Sequence, residues 1–169
     1  MPVLTPTMVK GKAWEITLKE LEELGIRGLI LDVDNTLTRH NHPDVDGKIL
    51  CWLDRMKAGG VRMIVLSNNS VSRVKPFAGK LGLPFQAGAM KPMTWGYRRA
   101  AEQMSLPAEQ TAVVGDQIFT DIAGGNLAGM KSILVEPFEM ERHWGFRLKR
   151  KLERPVLRRI RKKTGREGV

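Results

Sequence analysis

Apolar positions follow two different rhythms along this chain. Arg27 to Val33 and Val61 to Leu66 are nearly unbroken apolar runs, the second entered through the breaker pair Gly59-Gly60. Thr111 to Val114 and Ser132 to Val135 repeat the pattern, and Pro84 to Ala87 gives a shorter version. Runs of this length without polar alternation predict strands buried on both faces, as in a parallel sheet. Between them apolar residues recur at helical spacing. Gly47 to Lys57 carries Ile49, Leu50, Leu53 and Met56, and further helices are predicted around Val71 to Leu81, Met93 to Met104 and Phe119 to Ala128. Ahead of the first strand, Thr17-Leu18-Lys19-Glu20 has capping-box spacing, with Leu18, Leu21 and Leu24 in phase and Gly25 as the stop. Trp52, Trp95 and Tyr97 fall in the helical patterns and are expected to pack. Strands alternating with helices predict an α/β fold, a doubly wound parallel sheet.

The alternation ends at Pro137, which divides the chain into a domain over 1–137 and an extension over 138–169. The extension reads as a partly helical arm interrupted near Pro155. Charge sharpens this division. Residues 142–166 hold 12 Lys and Arg against one acid, Glu153, whereas the rest of the chain holds 16 basic and 17 acidic residues. The arm is therefore +11 and the rest −1, so the whole of the net +10 belongs to the arm. The single cysteine, Cys51, excludes an intramolecular disulfide, and no Cys/His spacing suits zinc. Met1 to Lys12 lacks the form of a signal peptide, and no apolar stretch is long enough for a membrane span. A cytoplasmic protein is expected.

The first apolar run ends in two carboxylates, Asp32 and Asp34. Acids this close repel unless a cation or a proton lies between them, so the pair points to a hard metal ion or to acid/base chemistry. Other polar groups follow the remaining strands: Ser67-Asn68-Asn69, Lys91-Pro92, and Gly115-Asp116 with Asp121 beyond it. In a parallel sheet all of these gather at one edge, where such folds bind ligands. Carboxylates at 32, 34 and 116 suit Mg²⁺, whose coordination is commonly completed by phosphate. Ser67, nearby backbone N–H groups and Lys91 could neutralise that phosphate. Asp32 or Asp34 could attack phosphorus, with the other moving protons.

Asp32-Val33-Asp34-Asn35-Thr36, Ser67, Lys91 and Gly115-Asp116 with Asp121, in this order, resemble the four motifs of the haloacid dehalogenase superfamily of phosphatases. Asp-Asn-Thr-Leu, Ser-Asn-Asn, Lys-Pro and Gly-Asp-Gln-x-x-Thr-Asp-x-x-Gly-Gly-Asn further resemble the YqeG type of subclass IIIA, which is similar to mitochondrial phosphatidylglycerophosphate phosphatases. The resemblance implies Asp32 as nucleophile and Asp34 as general acid/base, with Ser67 and Asn68 beside Lys91 at the phosphate. It also implies Mg²⁺ held by Asp32, the backbone carbonyl of Asp34, and Asp116, with Asp121 orienting the metal's waters or Lys91. Lipid phosphate is one implied substrate.

About 33 residues separate Asp34 from Ser67 and about 24 separate Ser67 from Lys91, which leaves no room for a substantial cap domain. An open site favours a bulky phosphorylated substrate, or a wall supplied by an oligomer. The arm, with Trp144, Phe146, Leu148, Leu152, Leu157 and Ile160 among its charges, suits an anionic phospholipid surface as a peripheral membrane contact. RNA phosphates are the alternative partner, and with them an RNA- or ribosome-associated binding protein whose phosphatase core is secondary or idle. A receiver domain is excluded because no Asp follows the third strand, and a P-loop hydrolase because its motif is missing. His40, His42 and His143 are read as surface residues.

Overall fold

The computed structural model describes residues 3–39 and 44–139, together with Pro155. The basic arm predicted over 142–166 and all three histidines fall outside the described residues, except for Pro155. Six parallel strands form one sheet: β1 (Met8–Lys10), β2 (Gly28–Leu31), β3 (Arg62–Leu66), β4 (Phe85–Gln86), β5 (Thr111–Gly115) and β6 (Lys131–Val135). Their spatial order is β1-β6-β5-β2-β3-β4. The chain winds outward from β2 through β3 to β4, and then from β5 through β6. The β2/β5 boundary is thus the topological switch point, where the carboxyl ends of strands open a crevice.

Helices cover both faces, as the unbroken apolar strands require. On one face α2 (Gly47–Ala58) and α3 (Val71–Leu81) bury Trp52, Leu53, Met56, Val74 and Phe77 against Leu29, Leu31, Met63, Val65 and Val114. On the other, α4 (Thr94–Gln103) sets Tyr97, Ala100 and Ala101 against Ile30, Ile64, Leu66 and Val113. Successive strand residues serve opposite layers, the period-two geometry of a pleated strand. The helix α1 (Leu18–Glu23) starts at the anticipated capping box: the Glu20 amide donates to Thr17 Oγ1, and the Thr17 amide to Glu20 Oε2.

Three local expectations need correcting. Trp95 is not a core residue but is 47% exposed, whereas Trp52 and Tyr97 are fully buried. The helix expected over Phe119 to Ala128 is split into a π-helical turn, Ile118–Ile122, and the short α5, Ala123–Leu127. The segment Met1 to Lys12, read only for signals, contributes β1, which pairs Met8, Val9 and Lys10 with Ile133, Leu134 and Val135. β1 occupies one sheet edge and is half-buried, so its three residues carry no periodic signal.

After β6 the chain stays fastened to the domain. Phe138, placed by the sequence in the extension, meets Trp14 edge-on at 5.7 Å, and Lys12 Nζ donates to the Pro137 carbonyl at 2.7 Å. The Phe138 and Glu139 amides donate to Asn35 O and Oδ1 at 3.3 and 3.4 Å. No inserted domain separates β2 from β3 or β3 from β4 among the described residues.

Candidate active site

Asp32 and Asp116 stand at the ends of β2 and β5, on either side of the switch point. The backbone there is tightly set: Asp32 N donates to the Val114 carbonyl at 3.0 Å, and Asn35 has a left-handed φ of 61°. A carboxylate oxygen from each of Asp32, Asp116 and Asp121 lies within 4.8 Å of the other two, and all three residues are buried. Asp121 reaches this group because the π-helical turn folds it back beneath Gly115. A Cβ on Gly115 would sit 2.3 Å from Asp121 Cγ, so only glycine permits the approach.

Lys91, whose side chain is only 5% exposed, bridges two of these acids. Its Nζ donates to Asp32 Oδ1 at 2.5 Å and to Asp121 Oδ1 at 2.7 Å. Burial opposes the charge on Lys91, but Asp121 and Asp32 outweigh it and raise its pKa, so it remains an ammonium. Burial pushes the Asp32 carboxyl up to about 7, against the pull of Lys91 and with the help of the Asp121 charge. Three buried carboxylates against one ammonium leave excess negative charge. A hard, oxygen-preferring dication fits this donor set, since it would supply the missing positive charge.

The carboxylate of Asp34 has partners of its own. Asn69 Nδ2 donates to its Oδ2 at 2.7 Å, and the Arg73 guanidinium to its Oδ1 at 2.6 Å. Asn69 lies just before α3 and Arg73 in its first turn, so the start of the helix brings both to one target. Ser67 is buried at the end of β3, and its Oγ accepts from the Asn69 amide and Nδ2, both at 3.2 Å. Asn68 ties two loops together: it accepts from the Lys91 amide at 2.7 Å and donates to the Lys91 carbonyl at 3.4 Å.

The structure therefore gathers Asp32, Asp34, Ser67, Asn68, Lys91, Asp116 and Asp121 at one pole of the sheet. It also shows contacts that the sequence did not assign, and one further residue, Arg73. Asn69 and Arg73 hold Asp34, and Thr36 Oγ1 stands 3.4 Å from Asp32 Oδ2. Tyr97 donates its phenol to the Thr120 carbonyl at 2.8 Å, bracing the turn that carries Asp121. Burial, then the Asp121 charge, raises the Tyr97 pKa and keeps that donor neutral. Only the four-residue spacing of Asn69 and Arg73 was available as a signal.

Residues 88–139 match the family model described as HAD-hydrolase-like. The chain is 37% identical over 150 residues to the probable phosphatase YqeG of Bacillus subtilis, spanning 89% of this chain and 87% of that protein. It is 30% identical over 146 residues to the chloroplastic phosphatidylglycerophosphate phosphatase 1 of Chlamydomonas reinhardtii. That match covers 81% of this chain and 53% of the longer relative. In three dimensions it resembles the cobalt-bound deoxy-D-mannose-octulosonate 8-phosphate phosphatase of Haemophilus influenzae, with a TM-score of 0.55 and 20% identity. The overlap takes in 69% of this chain and 70% of that one, a likeness of fold. The ordered motifs, the sheet that brings them to one pole and the similarity to YqeG along most of the chain agree: the chain belongs to the haloacid dehalogenase superfamily of phosphatases, as one of the YqeG type.

Proposed function

We propose that this phosphatase hydrolyses a phosphomonoester through an aspartyl-phosphate on Asp32. The observation that carries the reading is the buried Asp32 carboxylate at the switch point, with Lys91 Nζ at 2.5 Å and two further acids around it. A carboxylate oxygen of Asp32 attacks phosphorus, and the bond from phosphorus to the leaving oxygen breaks. Asp34 gives its proton to that oxygen. Asp34 then takes a proton from water, whose oxygen attacks the phosphoryl group, releasing inorganic phosphate and restoring the Asp32 carboxylate. Asn69 and Arg73 set the direction of Asp34 for both transfers. Lys91, Ser67 and Asn68 receive the phosphoryl oxygens, where fixed donors count most as charge develops.

Asp32, Asp116 and the Asp34 backbone carbonyl would hold Mg²⁺, with Asp121 fixing Lys91 beside it. When bound, Mg²⁺ supplies charge neutralisation at the phosphoryl group. Phosphate release from a monoester is expected to need both Mg²⁺ and Asp32, with Asp32→Asn lowering turnover by about a thousandfold or more. Equal release by the variant and the wild type would sink the mechanism.

The open site and the relative named as a phosphatidylglycerophosphate phosphatase support a lipid phosphate as substrate. Such a substrate would bring the enzyme to a membrane surface. Among the described residues no helix is long and apolar enough to cross one.

A further inference from the structure

We infer that the mouth of the active site is itself a docking surface for an anionic lipid layer, built from Val71, Met90, Met93 and Trp95. The inference rests on the lipid-phosphate reading above and assigns it residues. These four side chains are 57%, 65%, 54% and 47% exposed, and they are half of the large apolar residues left exposed in the described domain. They lie close to the catalytic groups. Met90 and Met93 flank Lys91-Pro92, Val71 follows the Ser67-Asn68-Asn69 loop, and Trp95 is in the first turn of α4. The two loops are joined by the Asn68–Lys91 pair and by Gly88 N to Asn69 O at 2.9 Å and Ala89 N to Ser67 O at 3.0 Å. The exposed apolar residues thus lie on or next to the two joined loops that carry Ser67 and Lys91.

Charge selects the occupant. Exposed Lys75 lies one turn beyond Val71, and exposed Arg98 and Arg99 lie one turn beyond Trp95. Between Asp54 and Glu102 the sequence has no Asp or Glu, against nine Lys and Arg. Exposed apolar residues with a tryptophan, set in a stretch of chain that has basic residues and no acids, have the composition of a surface that sinks into the headgroup region of anionic lipid. A protein seated on these residues would close the mouth. A lipid layer instead presents a phosphate to the mouth and acyl chains to its rim in a single contact.

The test uses the full chain with Met93→Ser and Trp95→Ser together. Both sites are exposed, and serine at the Met93 position suits the start of α4. Partition onto vesicles of phosphatidylcholine and phosphatidylglycerol, three to one, is measured by sedimentation at low and high salt. High salt weakens the contribution of the basic arm but not apolar insertion. The wild type is expected to stay bound at high salt, with the double variant roughly tenfold or more weaker. Equal partition of the two proteins, or no binding by the wild type, would overturn the inference. So would a dimer, detected by light scattering, that the same substitutions dissociate, since a second copy would then own the patch. Hydrolysis of soluble p-nitrophenyl phosphate separates the two readings. It is expected within about twofold of wild type in the double variant, and its absence from both proteins would reject the phosphatase chemistry independently of the vesicle result.

Discussion

Lys91 organises the site by being shared: one ammonium serves Asp32 and Asp121, and its backbone is clasped by Asn68. Its position depends on how closely Asp121 can approach β5, and therefore on Gly115. A methyl group at 115 would meet Asp121 Cβ at 2.4 Å and force the carboxylate to move. Gly115→Ala is expected to lower kcat/KM on a soluble monoester by about a hundredfold, the scale of a 1 Å misplacement in a catalytic array. Steady-state kinetics check this, with circular dichroism to show an intact fold; unchanged kinetics would mean that Asp121 does not position Lys91. Asp32, Ser67, Lys91 and Asp116 were legible in the sequence because each follows an apolar run, and a parallel sheet sends every such residue to the same pole. Asn69 and Arg73 were not, because their role depends on α3 beginning within reach of the loop after β2. No spacing between residues 34 and 73 encodes that proximity.

The same distinction holds for whole elements. Strands β2, β3, β5 and β6 are buried enough to announce themselves as apolar runs. β1 exists only because β6 offers a free edge, and its residues 8–10 would be unremarkable elsewhere. The π-helical turn was hidden for another reason. Ile118 and Ile122 are spaced as in an ordinary helix, yet the Ile122 amide donates to the Gln117 carbonyl at 3.2 Å, one residue wider than α-helical winding. That wider turn passes into α5, whose Gly124 lies against Tyr97 of α4. A Cβ there would come within 2.4 Å of the Tyr97 ring. Gly124→Ala is therefore expected to destabilise the domain by about 1–3 kcal/mol through overpacking, despite the better helix propensity of alanine. Urea unfolding measures the change, and a neutral or stabilising outcome would show that α4 and α5 can separate at little cost.

For the whole molecule, the cluster of buried acids couples catalysis to stability. A cation that binds only the folded arrangement of Asp32, Asp116 and the Asp34 carbonyl would stabilise the domain as its site fills, by about 2.7 kcal/mol at a hundred times its Kd. Mg²⁺ is thus expected to raise the thermal midpoint of the wild type. Asp116→Asn should remove most of that shift while itself raising the midpoint of the metal-free protein, since it relieves repulsion among the acids. A shift of equal size in both proteins would place the ion elsewhere. The hydrogen bonds from Phe138 and Glu139 to Asn35 have a further consequence at this scale. They hold the chain at Phe138 and Glu139 beside Asn35, next to Asp34. The chain beyond Glu139 therefore starts from the pole that holds Asp32 and Lys91, whatever course it takes afterwards.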